Sequence, residues 1–146
     1  MKSIYVFFIF ILLFIMETES KEHEKNEVTK PIPISITSHT LVVNGKSISY
    51  KATTGYMEMK TEDGKSKANI FYIAYTKDDE KQDHRPITFA FNGGPGSSSV
   101  WLHMGALGPK RVVFSDDGNP LPPPYSMVDN EYSWLEFTDL VFIDPV

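Results

Sequence analysis

The sequence has no cysteine, so disulfides and cysteine-based metal sites are excluded, and thiols say nothing about the redox compartment. It has no Asn-x-Ser/Thr sequon, so glycosylation gives no sign of a secreted surface. It has no long basic run and a net charge of −5, which leaves neither nucleic acid nor an anionic membrane as an expected partner. It also has no apolar run long enough to span a bilayer. The uncharged run Ile4 to Met16 covers thirteen residues, about 20 Å as a helix against a hydrocarbon core of roughly 30 Å.

That short run is itself informative. Lys2 precedes it and polar Glu-Thr-Glu-Ser follows it, with small Thr18 and Ser20 placed for cleavage after Ser20. Residues 1–20 are expected to be a secretory signal peptide, which implies a secreted or extracytoplasmic protein without a stable membrane anchor; an uncleaved N-terminal anchor or a buried helix is the plain alternative. Residues 21–38 are charged and then proline-punctuated, and are expected to be a polar leader. Apolar residues make up 41% and charged residues 23%, as in an ordinary globular domain.

From His39 the pattern is that of strands. Leu41-Val42-Val43 leads into Asn44-Gly45, a pair that tolerates positive φ at both central positions of a tight hairpin. Ile48 and Tyr50 alternate with polar residues, Tyr56 to Lys60 continues in extended fashion, and Asp63-Gly64 turns again. Ala68 to Thr76 is apolar and aromatic on both faces, as a buried strand requires. These three segments predict an antiparallel meander. Lys77 to Arg85 reads as a charged loop, and His23, His39 and His84 fall in polar surroundings that predict exposure. Ile87 to Phe91 is a further strand, Asp117-Gly118 and Pro120 to Pro124 mark a loop, and Leu140 to Ile143 is an all-apolar strand suited to the interior of a parallel sheet.

Between the strand Ile87–Phe91 and an expected helix lies Asn92-Gly93-Gly94-Pro95-Gly96, followed by Ser97, Ser98 and Ser99. Val100, Trp101, Met104 and Leu107 recur at helical spacing, and Gly108-Pro109 stops the helix. Glycines there let a ligand approach the backbone, and a helix N-terminus adds free N–H groups, a combination that receives a bound anion or a developing oxyanion. A tight turn without a ligand is the plain alternative. A phosphate cradle is disfavoured, because no Walker pattern and no G-x-G-x-x-G occurs here. The three serines are expected to cap the helix rather than attack, since G-x-S-x-G is absent and His103, on the same short helix, does not by itself complete a triad.

The segments ITFAFNGGPGSSSVWLHMGALGPKRV and LPPPYSMVDNEYSWLEFTDLVFIDPV resemble the serine carboxypeptidase family, especially its bacterial-type branch. HTLVVNGKSISYKATTGYMEMK and ANIFYIAYTKD resemble that branch's first strands, so the likeness runs from about His39 to Val146. Prolyl iminopeptidases carry a related motif that begins with histidine; Asn92 favours the carboxypeptidases. The resemblance implies an α/β-hydrolase fold, with the meander leading into a mostly parallel sheet. It also implies peptide-bond hydrolysis by a Ser-Asp-His triad without metal or organic cofactor. Gly94 matches the glycine whose N–H lines the oxyanion hole. Asn92 and the Gly93 N–H match groups that hold the C-terminal carboxylate of a peptide substrate.

Three positions depart from the familiar eukaryotic pattern: Ala90 replaces a common tryptophan, Ala106 a common glutamate, and Ser97 a common cysteine. The first two bear on whether the specificity is for chain ends or internal bonds. The chain is expected to be the N-terminal portion of such a hydrolase, residues 39–146 preceding the triad, and inactive alone. Two alternatives stand beside this reading: a non-catalytic secreted binding fragment, and a hydrolase of the same fold acting on internal bonds or esters. Oligomeric state is not legible.

Overall fold

The computed structural model describes residues 33–78, 84–94 and 96–145. The expected signal peptide, most of the leader and the middle of the charged loop before Arg85 lie outside the described residues.

Strands β1 (Ser35–Val43) and β2 (Lys46–Lys60) pair antiparallel, Val43 opposite Lys46. Asn44 and Gly45 join them with φ of 50° and 73°, the backbone whose twist suits a two-residue hairpin. Gly64, at φ 84°, turns β2 into β3 (Ser66–Lys77), which completes the meander. Next come β4 (Ile87–Ala90), the short helix α1 (Val100–Leu102) continuing as a π-turn (His103–Leu107), and β5 (Lys110–Val112). Then β6 (Met127–Asp129), a 3₁₀ turn (Trp134–Glu136) and β7 (Asp139–Asp144) follow. The β5–β6 pair is a small antiparallel ribbon whose three-residue strands leave no readable alternation in the sequence.

The main sheet has the order β1-β2-β3-β7-β4. β7 is antiparallel to β3 and parallel to β4. Among the described residues the sheet is therefore mixed: the antiparallel meander leads into one parallel pair, compatible with part of an α/β fold. The meander supplies the antiparallel majority.

Strand alternation sorts the side chains of β7 between two faces. Leu140 and Phe142, buried, share a face with Tyr75 and Ile73 on β3 and with Thr88 and Ala90 on β4. Leu41, Ile48 and Tyr50 extend this core, and Leu102, Leu107 and Leu135 cover it. Each fully buried apolar side chain contributes about 1.5–3 kcal/mol. Val141 and Ile143 point to the opposite face, where they line an open groove of about 210 Å³ with Met57, Ile70, Tyr72 and Phe89. β3, expected to be buried on both faces, is only half-buried, because this second face has no cover among the described residues.

Two further expectations are corrected. Val100 and Trp101 point outward, Trp101 at 74% exposure, while Leu102 and Leu107 reach the core. The π-turn, closed by the Gly108 N–H donating to the His103 carbonyl at 3.0 Å, is wider than an α-turn, so a 3.6-residue period misplaces the stripe. Arg85 is not part of a solvated loop. Its Nε donates to Asp139 Oδ1 at 3.0 Å and its Nη2 to the Leu135 carbonyl at 3.0 Å, and both ionic side chains are nearly buried.

Candidate functional site

The glycine loop leaves the carboxyl end of β4, alongside the carboxyl end of its parallel neighbour β7. Open sheets with parallel strands bind ligands at such ends. Ala90, the last residue of β4, is buried. Beyond it Asn92 is half-buried and Gly93 and Gly94 are exposed. Gly94 has φ 89° and Gly96 φ 75°, conformations that strain any residue with a Cβ. The Gly94 carbonyl accepts the Ser97 N–H at 3.1 Å. Space is not the constraint at Gly94, where a Cβ would meet only the Ser97 hydroxyl at 3.5 Å.

The serines do not cap α1 as expected. Ser99 stands at the N-cap without a side-chain capping bond. The Asp144 carboxylate, at the end of β7, fills that role instead: Oδ1 accepts the Ser99 N–H at 2.7 Å. Both Asp144 oxygens also lie 3.1 Å from the Ser98 hydroxyl, which donates to them. The Ser99 hydroxyl donates to the Ile143 carbonyl, with the Ala90 carbonyl 3.5 Å away. The helix start expected to receive negative charge is thus already occupied by a carboxylate of the chain itself. The exposed glycine N–H groups of the loop remain candidates for an external anion.

The far end of the same segment is also held. Asn130, buried, donates from Nδ2 to the carbonyls of Ala106 and Gly108, each at 2.8 Å. Ser133 Oγ donates to the Leu107 carbonyl at 3.1 Å. These bonds satisfy carbonyls that a helix end leaves without partners. Composition offered no sign of this role for Asn130.

His103 lies under the helix, stacked on Phe142 with ring centroids 4.5 Å apart, and its Nε2 is 2.6 Å from the Tyr75 hydroxyl. Burial holds the imidazole pKa below its usual value, against the opposing influence of Asp144. Burial, with Tyr50 adding to it, pushes the Tyr75 hydroxyl up to about 12. His103 is thus engaged with Tyr75, while the hydroxyls of Ser98 and Ser99 are engaged with Asp144 and the backbone, so these residues form no nucleophile–base pair. A cavity of about 220 Å³ between His103, Met104, Phe71, Ile73 and Asp144 adjoins this cluster. His39 and His84 are exposed, as expected.

A family model described as serine carboxypeptidase matches residues 43–146. Among curated proteins, the chain is 32% identical over 106 residues to the pheromone-processing carboxypeptidase KEX1 of Arthroderma otae, covering 73% of this chain and 15% of that protein. It is 30% identical over 92 residues to serine carboxypeptidase-like 33 of Arabidopsis thaliana, covering 62% and 17%. It is 32% identical over 91 residues to carboxypeptidase Y of Saccharomyces cerevisiae, covering 62% and 14%. The chain therefore spans only 14–17% of the length of these relatives.

Proposed function

Because this chain belongs to the serine carboxypeptidase family, we propose that it carries the oxyanion and carboxylate-binding loop of a serine-type carboxypeptidase with an α/β-hydrolase fold. The observation that supports this reading best is the placement of Asn92, Gly93 and Gly94 at the carboxyl end of β4, with Gly94 at positive φ. In such a hydrolase a serine attacks the scissile carbonyl, histidine takes its proton, and the tetrahedral oxyanion forms against preorganised N–H donors. Gly94 supplies one donor and the residue after the serine the other. The G-x-S-x-G pentapeptide that would hold that serine is not in these 146 residues, so the chain contributes the binding half of the site.

The Asn92 amide and the Gly93 N–H receive the carboxylate of a peptide with a free C-terminus. Ala90 and Ala106 leave that carboxylate with fewer partners than the eukaryotic pattern provides, which weakens the preference for chain ends. Residues 1–20 direct export, and residues 39–146 form the N-terminal portion of the hydrolase domain.

The test uses the complete gene product. A serine-directed phosphonate should label it stoichiometrically, and it should release the C-terminal residue from a blocked dipeptide faster than it cleaves the amidated form. Absence of both label and cleavage would sink the proposal. Secreted material should begin at Lys21 by mass spectrometry, and retention of Met1 in a membrane fraction would sink the export assignment.

A further inference from the structure

We propose that Asp144 is a positioning residue for the glycine loop. Its carboxylate sets the backbone path on which the Gly94 N–H faces the oxyanion. This inference rests on the proposed hydrolase reading and adds to it a residue 50 positions away from Gly94 in sequence but joined to its segment in space.

The loop leaves β4 at Ala90 and re-enters regular structure at Ser99. Both ends meet the same stretch of β7. Asp144 takes the Ser99 N–H at 2.7 Å and the Ser98 hydroxyl at 3.1 Å, while the Ser99 hydroxyl reaches the carbonyls of Ile143 and Ala90. Ser97, next in line, donates its N–H to the Gly94 carbonyl. Asp144 is therefore hydrogen-bonded to Ser98 and Ser99 and tied through the chain itself to Ser97, whose N–H bonds the Gly94 carbonyl. Charge-assisted bonds of this kind are about twice as strong as neutral ones, and the series ends on a central strand fixed on both sides by β3 and β4. An N–H aimed at a developing charge is useful only if it does not reorient during the reaction.

The obvious rival is that Asp144 only stabilises the helix start. The two roles differ in kinetics. A positioning residue acts in the transition state, so Asp144→Ala should lower kcat with KM little changed, by about 10- to 100-fold, the scale of a misplacement near 1 Å. It should do so equally for free and amidated peptides, unlike a residue that binds the carboxylate. In a Gly94→Ala background the same substitution should cost little more, because the donor it aims is already displaced. Asp144→Asn, which keeps an oxygen for the Ser99 N–H, should restore most of the rate. Ser98→Ala should show a smaller loss of the same kind.

These measurements use the complete gene product, with melting curves for each variant. If Asp144→Ala does not fold, Asp144→Asn and Ser98→Ala carry the comparison. Additive losses in the double variant, or a change in KM alone, would overturn the role of Asp144 while leaving the hydrolase reading intact. An unchanged rate in Gly94→Ala, or no hydrolysis by the parent protein, would overturn both.

Discussion

The His103 imidazole and the Tyr75 hydroxyl meet at 2.6 Å beneath the helix that follows the glycine loop. This contact joins the segment bearing the candidate site to β3 of the meander, and it makes the joint sensitive to pH. Burial holds the folded-state pKa of His103 below its usual 6.5. Above 6.5 the imidazole is neutral in folded and unfolded chains, and its contribution is fully present. As pH falls from 6.5 towards the folded value, the unfolded chain binds more protons and stability is lost. The titratable groups facing it are Tyr75 and Asp144, with Tyr50 packed against Tyr75. Melting temperature of the complete protein should fall across that window, and His103→Gln should flatten the fall. An unchanged slope would place the pH dependence elsewhere.

Residues 21–146 alone should hydrolyse no peptide and take up no serine-directed phosphonate. Ser98 and Ser99 are committed to Asp144 and backbone carbonyls, and His103 to Tyr75. Stoichiometric labelling of Ser97, Ser98 or Ser99, read by peptide mass mapping, would assign the nucleophile to this chain.

Gly94 and Asn92 should separate chemistry from specificity in the complete gene product. Gly94→Ala forces a Cβ into φ 89°, turns the N–H away, and should cost about 2.7–4 kcal/mol, or roughly a hundred- to thousand-fold in kcat. Asn92→Ala removes a charge-assisted bond worth roughly 1.5–3 kcal/mol, and its loss should fall on free peptides and spare amidated ones. Equal losses on both substrates would reduce Asn92 to a loop-shaping residue. The readout is kcat/KM on matched pairs.

Arg85→Met should leave Asp139 nearly buried with the Lys77 N–H as a remaining donor. Removing one partner of such a pair costs on the order of 3–5 kcal/mol. The double variant Arg85→Met/Asp139→Leu should recover much of that loss. Urea titration measures both, and a loss below 1 kcal/mol in the single variant would mean that the pair is solvated.

Gly108→Ala tests the π-turn. A Cβ there would sit 2.2 Å from the His103 carbonyl oxygen, which is backbone and cannot swing aside. Overpacking of this kind costs typically 1–3 kcal/mol. A neutral effect on the melting temperature would mean that the turn opens readily.

The strands were legible because a period of two and the pairs Asn44-Gly45 and Asp63-Gly64 are local signals, complete within a few residues. The all-apolar run of β7 likewise announced a central strand. The loop's position between a strand and a helix was legible too, from the glycine cluster and the change of pattern on either side of it. Its supports were not. Asp144 looks like the polar end of a strand, Asn130 like a loop residue and Arg85 like a surface charge, and each acquires its role only from partners that are remote in sequence. Trp101 was misassigned for a different reason: the helical period holds only while the helix stays α.

Among the described residues β4 pairs in the main sheet with β7 alone, and β7 inserts between β3 and β4. Asp144 follows Ser99 by 45 positions, which is roughly 2–9 s of chain growth at 5–20 residues per second. Throughout that interval the glycine loop has been made but the strand that pairs with β4 and the carboxylate that anchors the helix have not. The meander can close as each hairpin emerges, by local contacts. The loop is therefore assembled late and out of sequence order, when β7 threads into the gap. A pause or a chaperone acting between these two moments would act on the site before it exists.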